Sequence, residues 1–96
     1  MSDQIRLLLA DDHAVVRSGL RMLLEAQPDM TIIGEAETGQ EAIRRVAELS
    51  PDVVLMDIEM PGMNGIEATR RIKANAPASA VLALTMYEDD QYFFEM

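Results

Sequence analysis

The strongest constraint on this chain is a unit that recurs about every 25 residues: a short apolar run, an amphipathic stretch, then a breaker. The apolar runs are Ile5–Ala10, Met30–Ala36, Val53–Met56 and Ala80–Leu84. Three are nearly continuous Leu, Val, Ile, Met and Ala, as expected of strands covered on both faces. Thr31–Ala36 is more mixed, with Gly34 and Glu35, which suits an edge strand. Between the runs the period is helical. Val16, Leu20, Leu23 and Leu24 form one stripe, and Pro28 stops that helix. Thr38-Gly39-Gln40-Glu41 has capping-box spacing, followed by an apolar face of Ile43, Val46 and Ala47. Arg44, Arg45 and Glu48 are expected to point away from that face, and Pro51 ends the helix. Asn64 is placed to cap a third helix, with Glu67 three residues on and Pro77 beyond its end. In it Ile66 and Ile72 are expected inward, Arg70 and Arg71 outward. Glu88-Asp89-Asp90 has the acidity of a further helical first turn. Such alternation predicts an α/β fold, a doubly wound parallel sheet with right-handed crossovers.

Composition narrows the function. Ninety-six residues suffice for one domain. Eight basic and 17 acidic side chains sum to −9, which argues against direct nucleic acid binding by this domain. The absence of cysteine excludes a disulfide framework, a thiol nucleophile and a Cys-type zinc site. Met1-Ser2-Asp3-Gln4 opens no leader-like pattern, and no apolar run reaches membrane-spanning length. The expectation is a cytoplasmic chain with no membrane partner. The four aromatics, Tyr87, Tyr92, Phe93 and Phe94, all fall in the last ten residues, so the rest of the core must be aliphatic and methionine.

In sheets of this kind, ligands sit beyond the carboxyl ends of the strands. There the first strand runs into Asp11-Asp12, the third into Asp57 and the fourth into Thr85. If the first and third strands are neighbours, three carboxylates converge, and their mutual repulsion calls for a hard cation such as Mg²⁺. A carboxylate beside Mg²⁺ can act as a nucleophile toward phosphorus and form an acyl phosphate. The turn-rich Met60-Pro61-Gly62-Met63-Asn64-Gly65 that follows Asp57 is longer than closing the gap requires, as a loop lining a site would be. The plain alternative is that acids follow strands because loops are polar. It serves for one aspartate and poorly for three in register. His13 could be read as a metal ligand or phosphodonor, and the sequence reading weighs against both. Met60, Met63 and Met86 could offer an adaptable docking surface, although core filling explains them equally well.

Asp11-Asp12-His13 followed by Val16-Arg17-Ser18-Gly19-Leu20, with Asp57-Ile58-Glu59-Met60-Pro61-Gly62-Met63-Asn64-Gly65, resembles the receiver domain of two-component response regulators, in particular the NarL/FixJ (LuxR-type) subfamily. The resemblance covers the whole chain. It implies a flavodoxin-like fold with strand order 2-1-3-4, in which Asp57 accepts a phosphoryl group from a sensor histidine kinase. It also implies Mg²⁺ held by Asp12 and Asp57, with Asp11 acting through water and the backbone carbonyl of Glu59 as a further ligand. Thr85 would contact the phosphoryl group as a switch, and Glu59 and Tyr87 would occupy positions that tune its lifetime. Such a domain is a phosphorylation-switched signalling element regulating a DNA-binding output domain, and not a metabolic enzyme.

The chain departs from that pattern in one respect. Receivers continue into a fifth strand, ending in a lysine that pairs with the phosphoryl group, and a fifth helix. The single lysine here is Lys73, late in the third helix. The resemblance therefore implies that residues 1–96 are a receiver incomplete at its C-terminal side, with the fifth βα unit and the output domain absent. Without them, part of the face over the first and third strands should be bare and Ala80–Leu84 should be an open edge. The chain is then expected to associate as a homodimer or domain-swapped oligomer. Three alternatives remain. A non-switching interaction module shares the pattern but predicts no Mg²⁺ dependence. A carboxylate-nucleophile phosphatase would want an acid two residues beyond Asp11, where His13 stands. A nucleotide-binding enzyme would want a Gly-rich loop after the first strand, where Asp11-Asp12-His13 would repel phosphate.

Overall fold

The computed structural model describes residues 4–58, 60 and 62–84. Thr85, Glu59, Met86, Tyr87 and the acidic turn at 88–90 lie outside the described residues. The elements are β1 (Ile5–Ala10), α1 (Ala14–Glu25), β2 (Met30–Ala36), α2 (Gly39–Leu49), β3 (Val53–Asp57), α3 (Gly65–Asn75) and β4 (Ala80–Leu84). The four strands form one parallel sheet in the order β2-β1-β3-β4. The α/β class expected from the alternation and the strand order implied by the resemblance are those observed, and no helix among the described residues is long and apolar enough to cross a membrane.

Strand alternation divides the core. Leu8, Ala10, Val54 and Met56 point to the side of α2 and α3, where they pack with Ala36, Ala42, Val46, Ala68 and Ile72. Leu7, Leu9 and Leu55 point to the opposite side, that of α1, and are also buried. Bareness expected over β1 and β3 is therefore not seen at Leu7, Leu9 and Leu55 of that face. Exposure falls instead on β4, which has one strand neighbour among the described residues, and Leu82 is 57% exposed there.

Three helical assignments need correction. The inward face of α3 is Gly65, Ala68 and Ile72, while Ile66, one residue or about 100° off that stripe, is 61% exposed. In α2 the buried positions are Gly39, Ala42 and Val46; Ala47 is exposed and Arg45 half-buried. In α1 Val16, Leu20 and Leu24 are half-covered, whereas Leu23 is exposed.

Local chemistry sets the boundaries. Thr38 Oγ1 accepts from the Glu41 backbone N–H at 3.0 Å, and Glu41 Oε1 reaches back to the N–H of Glu37 at 2.7 Å, one residue earlier than the capping box predicts. Asn64 Oδ1 accepts from the Glu67 N–H at 2.9 Å. The left-handed Ser50 (φ 49°) closes α2, and the Arg6 guanidinium donates to the carbonyls of Leu49 and Ser50 at 2.8 Å each. On the other side Glu35 of β2 is clamped by α1. Its Oε1 accepts from Arg17 Nε at 2.7 Å, and its Oε2 from Arg21 Nη2 at 2.6 Å and Nε at 2.8 Å. The Arg21 hydrogen bond, and then that of Arg17, hold the Glu35 carboxyl below the ordinary glutamate range.

Candidate functional site

The register of the two central strands builds the site. Ala10 pairs with Met56, so the residues that follow, Asp11 and Asp57, stand side by side at the carboxyl edge of the sheet. The Asp11 N–H extends the β1–β2 ladder by one bond, to the Ala36 carbonyl at 3.0 Å. Its own carbonyl accepts from Arg17 Nη1 at 2.6 Å, tying the β1–α1 loop to the Glu35 clamp. Asp57 closes β3, and the next N–H, of Ile58, bonds the Leu84 carbonyl of β4.

Both acids are buried, Asp11 to 2% and Asp57 to 4% exposure, and Asp12 is half-covered beside them. Asp11 Oδ1 accepts from the His13 N–H at 2.7 Å, in a turn that opens α1. His13 is the N-cap residue of α1, and its Nδ1 lies 3.0 Å from Asp11 Oδ1, 3.0 Å from Asp12 Oδ1 and 3.9 Å from Asp57 Oδ2. The hydrogen bond to Asp11 and the charge of Asp12 raise the imidazole pKa above its ordinary value. One potential ligand atom from each of Asp11, Asp12, His13 and Asp57 lies within 4.8 Å of all the others. Asp11 Oδ2 is buried and receives no hydrogen bond. A buried carboxylate oxygen without a donor is costly, and a cation satisfies it. Hard oxygen donors on two buried strand ends fit Mg²⁺ in particular.

The loop after Asp57 is held by close backbone contact. The Gly65 N–H donates to the Ile58 carbonyl at 3.2 Å, and a Cβ on Gly65 would collide with the carbonyl oxygen of Asp57. Gly39 likewise leaves no room for a Cβ, which would stand 2.6 Å from the Met63 carbonyl oxygen. Ile58, Met60, Asn64 and Ile66 line an open hollow of about 520 Å³ beside this loop. Met60 is buried in the core and Met63 packs against it, so these two fill space rather than form a docking surface. Lys73 is exposed in the last turn of α3, at the far end from Gly65 and Asp57.

The family model for the response regulator receiver domain matches residues 7–96. The chain belongs to the response regulator receiver family. Among curated relatives, this receiver domain is 54% identical over 86 residues to the transcriptional regulatory protein LiaR of Bacillus subtilis, covering 90% of the chain and 41% of LiaR. It is 44% identical over 93 residues to the oxygen regulatory protein NreC of Staphylococcus haemolyticus, covering 96% of the chain and 43% of NreC. The domain thus spans less than half the length of these relatives. Among solved structures, a LuxR-family two-component response regulator from Aurantimonas superposes with a TM-score of 0.86 at 39% identity, covering 96% of this chain and 66% of that one. The response regulator domain of Thermotoga maritima CheB gives 0.83 at 40% identity, covering 91% and 64%.

Of the residues singled out in the sequence, Asp11, Asp12 and Asp57 are brought together in the receiver, while Glu59 and Thr85 lie outside the described residues. Sequence reasoning passed over two contributors. Arg17 appears only as a motif letter, although it holds the Asp11 carbonyl, and a cation six residues after an acid carries no signal of that bond. Gly65 appears as a turn residue, although its role is steric; a glycine immediately after a helix cap was the available hint.

Proposed function

We propose that this receiver domain is the phosphoacceptor switch of a two-component regulator. Asp57 is the acceptor, and Asp11, Asp12, Asp57 and the Glu59 backbone carbonyl are the cation-holding groups. The observation that carries the reading is the convergence of buried Asp11 and Asp57 on neighbouring strands, with Asp12 beside them and Asp11 Oδ2 lacking a donor. A carboxylate oxygen of Asp57 attacks phosphorus, the bond to the donor nitrogen of a kinase phosphohistidine breaks, and an acyl phosphate forms on Asp57 as the imidazole leaves. Mg²⁺ held by these acids would supply charge neutralisation for the phosphoryl transfer. Thr85, which follows β4 directly, is proposed to contact the phosphoryl group and report its presence to the outer surface. The partner is a sensor histidine kinase, and the output is a DNA-binding domain of the kind that LuxR-family regulators carry. Pairing between copies along the β4 edge is part of this reading, supported by exposed Leu82.

The test is intact mass after incubation with Mg²⁺ and a small phosphodonor. The wild-type chain is expected to gain one phosphoryl group, and Asp57→Asn none. Labelling of Asp57→Asn as strong as wild type would refute the assignment. A chain that takes no label with or without Mg²⁺ would instead mark a non-switching interaction module.

A further inference from the structure

The β1–α1 turn carries two of the clustered acids, and a side chain outside the cluster holds that turn in place. Arg17 stands in the first turn of α1, with its side chain only 14% exposed. Its backbone N–H donates to the His13 carbonyl at 3.0 Å, and its Nη1 donates to the Asp11 carbonyl at 2.6 Å. Asp12 therefore sits between two peptide carbonyls held by the same residue. The Asp11 carbonyl belongs to the planar unit that joins Asp11 to Asp12, so its orientation sets how the chain leaves β1 and where both carboxylates stand. The guanidinium is itself aimed. Arg17 Nε donates to Glu35 Oε1 at 2.7 Å, and a rigid planar fork held at one nitrogen has little freedom at the others. Arg21 already engages Glu35 through Nε and Nη2, so the clamp between α1 and β2 has donors without the bond from Arg17 to Asp11.

We propose that Arg17, anchored on Glu35, is a positioning residue of the phosphoacceptor site. It touches neither phosphorus nor cation and acts through the Asp11–Asp12 peptide. Like charges gathered at the ends of β1 and β3 repel one another. A turn free to rotate would relieve that repulsion by swinging the half-covered Asp12 outward, away from Asp57. The bond to the Asp11 carbonyl resists this movement and keeps the carboxylates spaced for a shared cation. The effect is geometric, since the Arg17 charge is already matched by Glu35. Lysine has the charge but presents a single donor atom, and cannot span Glu35 and the Asp11 carbonyl as the fork does. The inference rests on the reading of the acids as a cation-holding phosphoacceptor site, and the experiment separates the two.

The experiment is calorimetric titration of the chain with MgCl₂ for wild type, Arg17→Lys, Glu35→Ala and Arg21→Gln. The Asp12 amide cross-peak in cation-free NMR and the labelling of Asp57 by a small phosphodonor are read on the same variants. Arg17→Lys should weaken Mg²⁺ binding about tenfold, as loss of an outer support does, and should shift the Asp12 cross-peak before any cation is added. Its labelling rate at saturating Mg²⁺ should stay within about threefold of wild type, because Asp57 is carried by β3 and not by the supported turn. Glu35→Ala keeps Arg17 and removes its anchor, so Mg²⁺ binding should weaken about threefold. Arg21→Gln removes bonds to Glu35 and none to the turn; it should melt lower yet keep its Mg²⁺ affinity within about twofold. Unchanged Mg²⁺ affinity in Arg17→Lys or Glu35→Ala, or an equal loss in Arg21→Gln, would overturn the role of Arg17 while leaving the site standing. A wild-type chain that binds no Mg²⁺ or takes no label would overturn both.

Discussion

Gly65→Ala tests how the loop after Asp57 is positioned. The added Cβ would stand 2.6 Å from Ile58 Cα and 2.9 Å from the Asp57 carbonyl carbon, and closer still to the Asp57 carbonyl oxygen. Carbon atoms pack best at about 3.5–4.0 Å, so the backbone of residues 57–58 must move by roughly 1 Å relative to α3. No rotamer change relieves this, because every obstructing atom is main chain. Overpacking of this kind costs about 1–3 kcal/mol, and the gain from replacing a helical glycine returns up to about 1 kcal/mol. A net destabilisation of about 1–2 kcal/mol lowers Tm by roughly 4–16 °C in a domain of this size. A displacement of about 1 Å at a reacting group costs on the order of a hundredfold in rate, so phosphoryl labelling of Asp57 should slow accordingly. Gly19→Ala is the control. Gly19 lies inside α1 with nothing within 4 Å of its added Cβ, so the same substitution should stabilise by about 0.5–1 kcal/mol. Thermal unfolding by circular dichroism and the labelling time course read both variants. Gly65→Ala with wild-type Tm and wild-type labelling rate would refute the steric argument.

Two further outcomes follow from burial and charge. Because the folded-state pKa of Glu35 is depressed, its contribution is present above the unfolded glutamate pKa of about 4.3 and is lost as pH falls through the folded value. Glu35→Gln should therefore cost about 1 kcal/mol at pH 7 and progressively less below about pH 4.5, followed by urea unfolding; a penalty independent of pH would refute the ion-pair account. Leu9→Ala, at a fully buried strand position, should cost about 2–5 kcal/mol, whereas Leu82→Lys at the exposed β4 position should cost under about 1 kcal/mol and lower the mean mass seen by light scattering. Equal losses at the two sites would contradict the burial of the central strands and the openness of β4.

The strands were legible almost to the residue, because buried parallel strands are continuous apolar runs and Pro28, Pro51 and Pro77 separate the units. Helix faces were less legible. Ile66 reads as core by hydropathy, yet the α3 stripe is set by Gly65 and Ala68, small residues whose importance comes from how closely the helix approaches β3. Asp11, Asp12 and Asp57 were legible as a cluster because strand ends converge wherever neighbouring strands are known. The position of the His13 ring was not, since it depends on the turn that its own N–H makes with Asp11. The Arg17 bond to the Asp11 carbonyl was equally hidden, because a main-chain acceptor leaves no trace in residue identity.

The meeting of acids from β1 and β3 also has a thermodynamic side. Asp11 and Asp57 belong to separate strands, so the cluster exists only when those strands are paired. Gathering like charges there opposes the pairing that forms the centre of the sheet. A cation that occupies the cluster binds the folded chain and not the unfolded one. At a hundred times its Kd it adds about 2.7 kcal/mol to a folding free energy of only about 5–10 kcal/mol for a domain of this length. Cation binding at this cluster, as proposed, would couple the folding equilibrium to the ionic composition of the medium through the same carboxylates proposed to receive the signal.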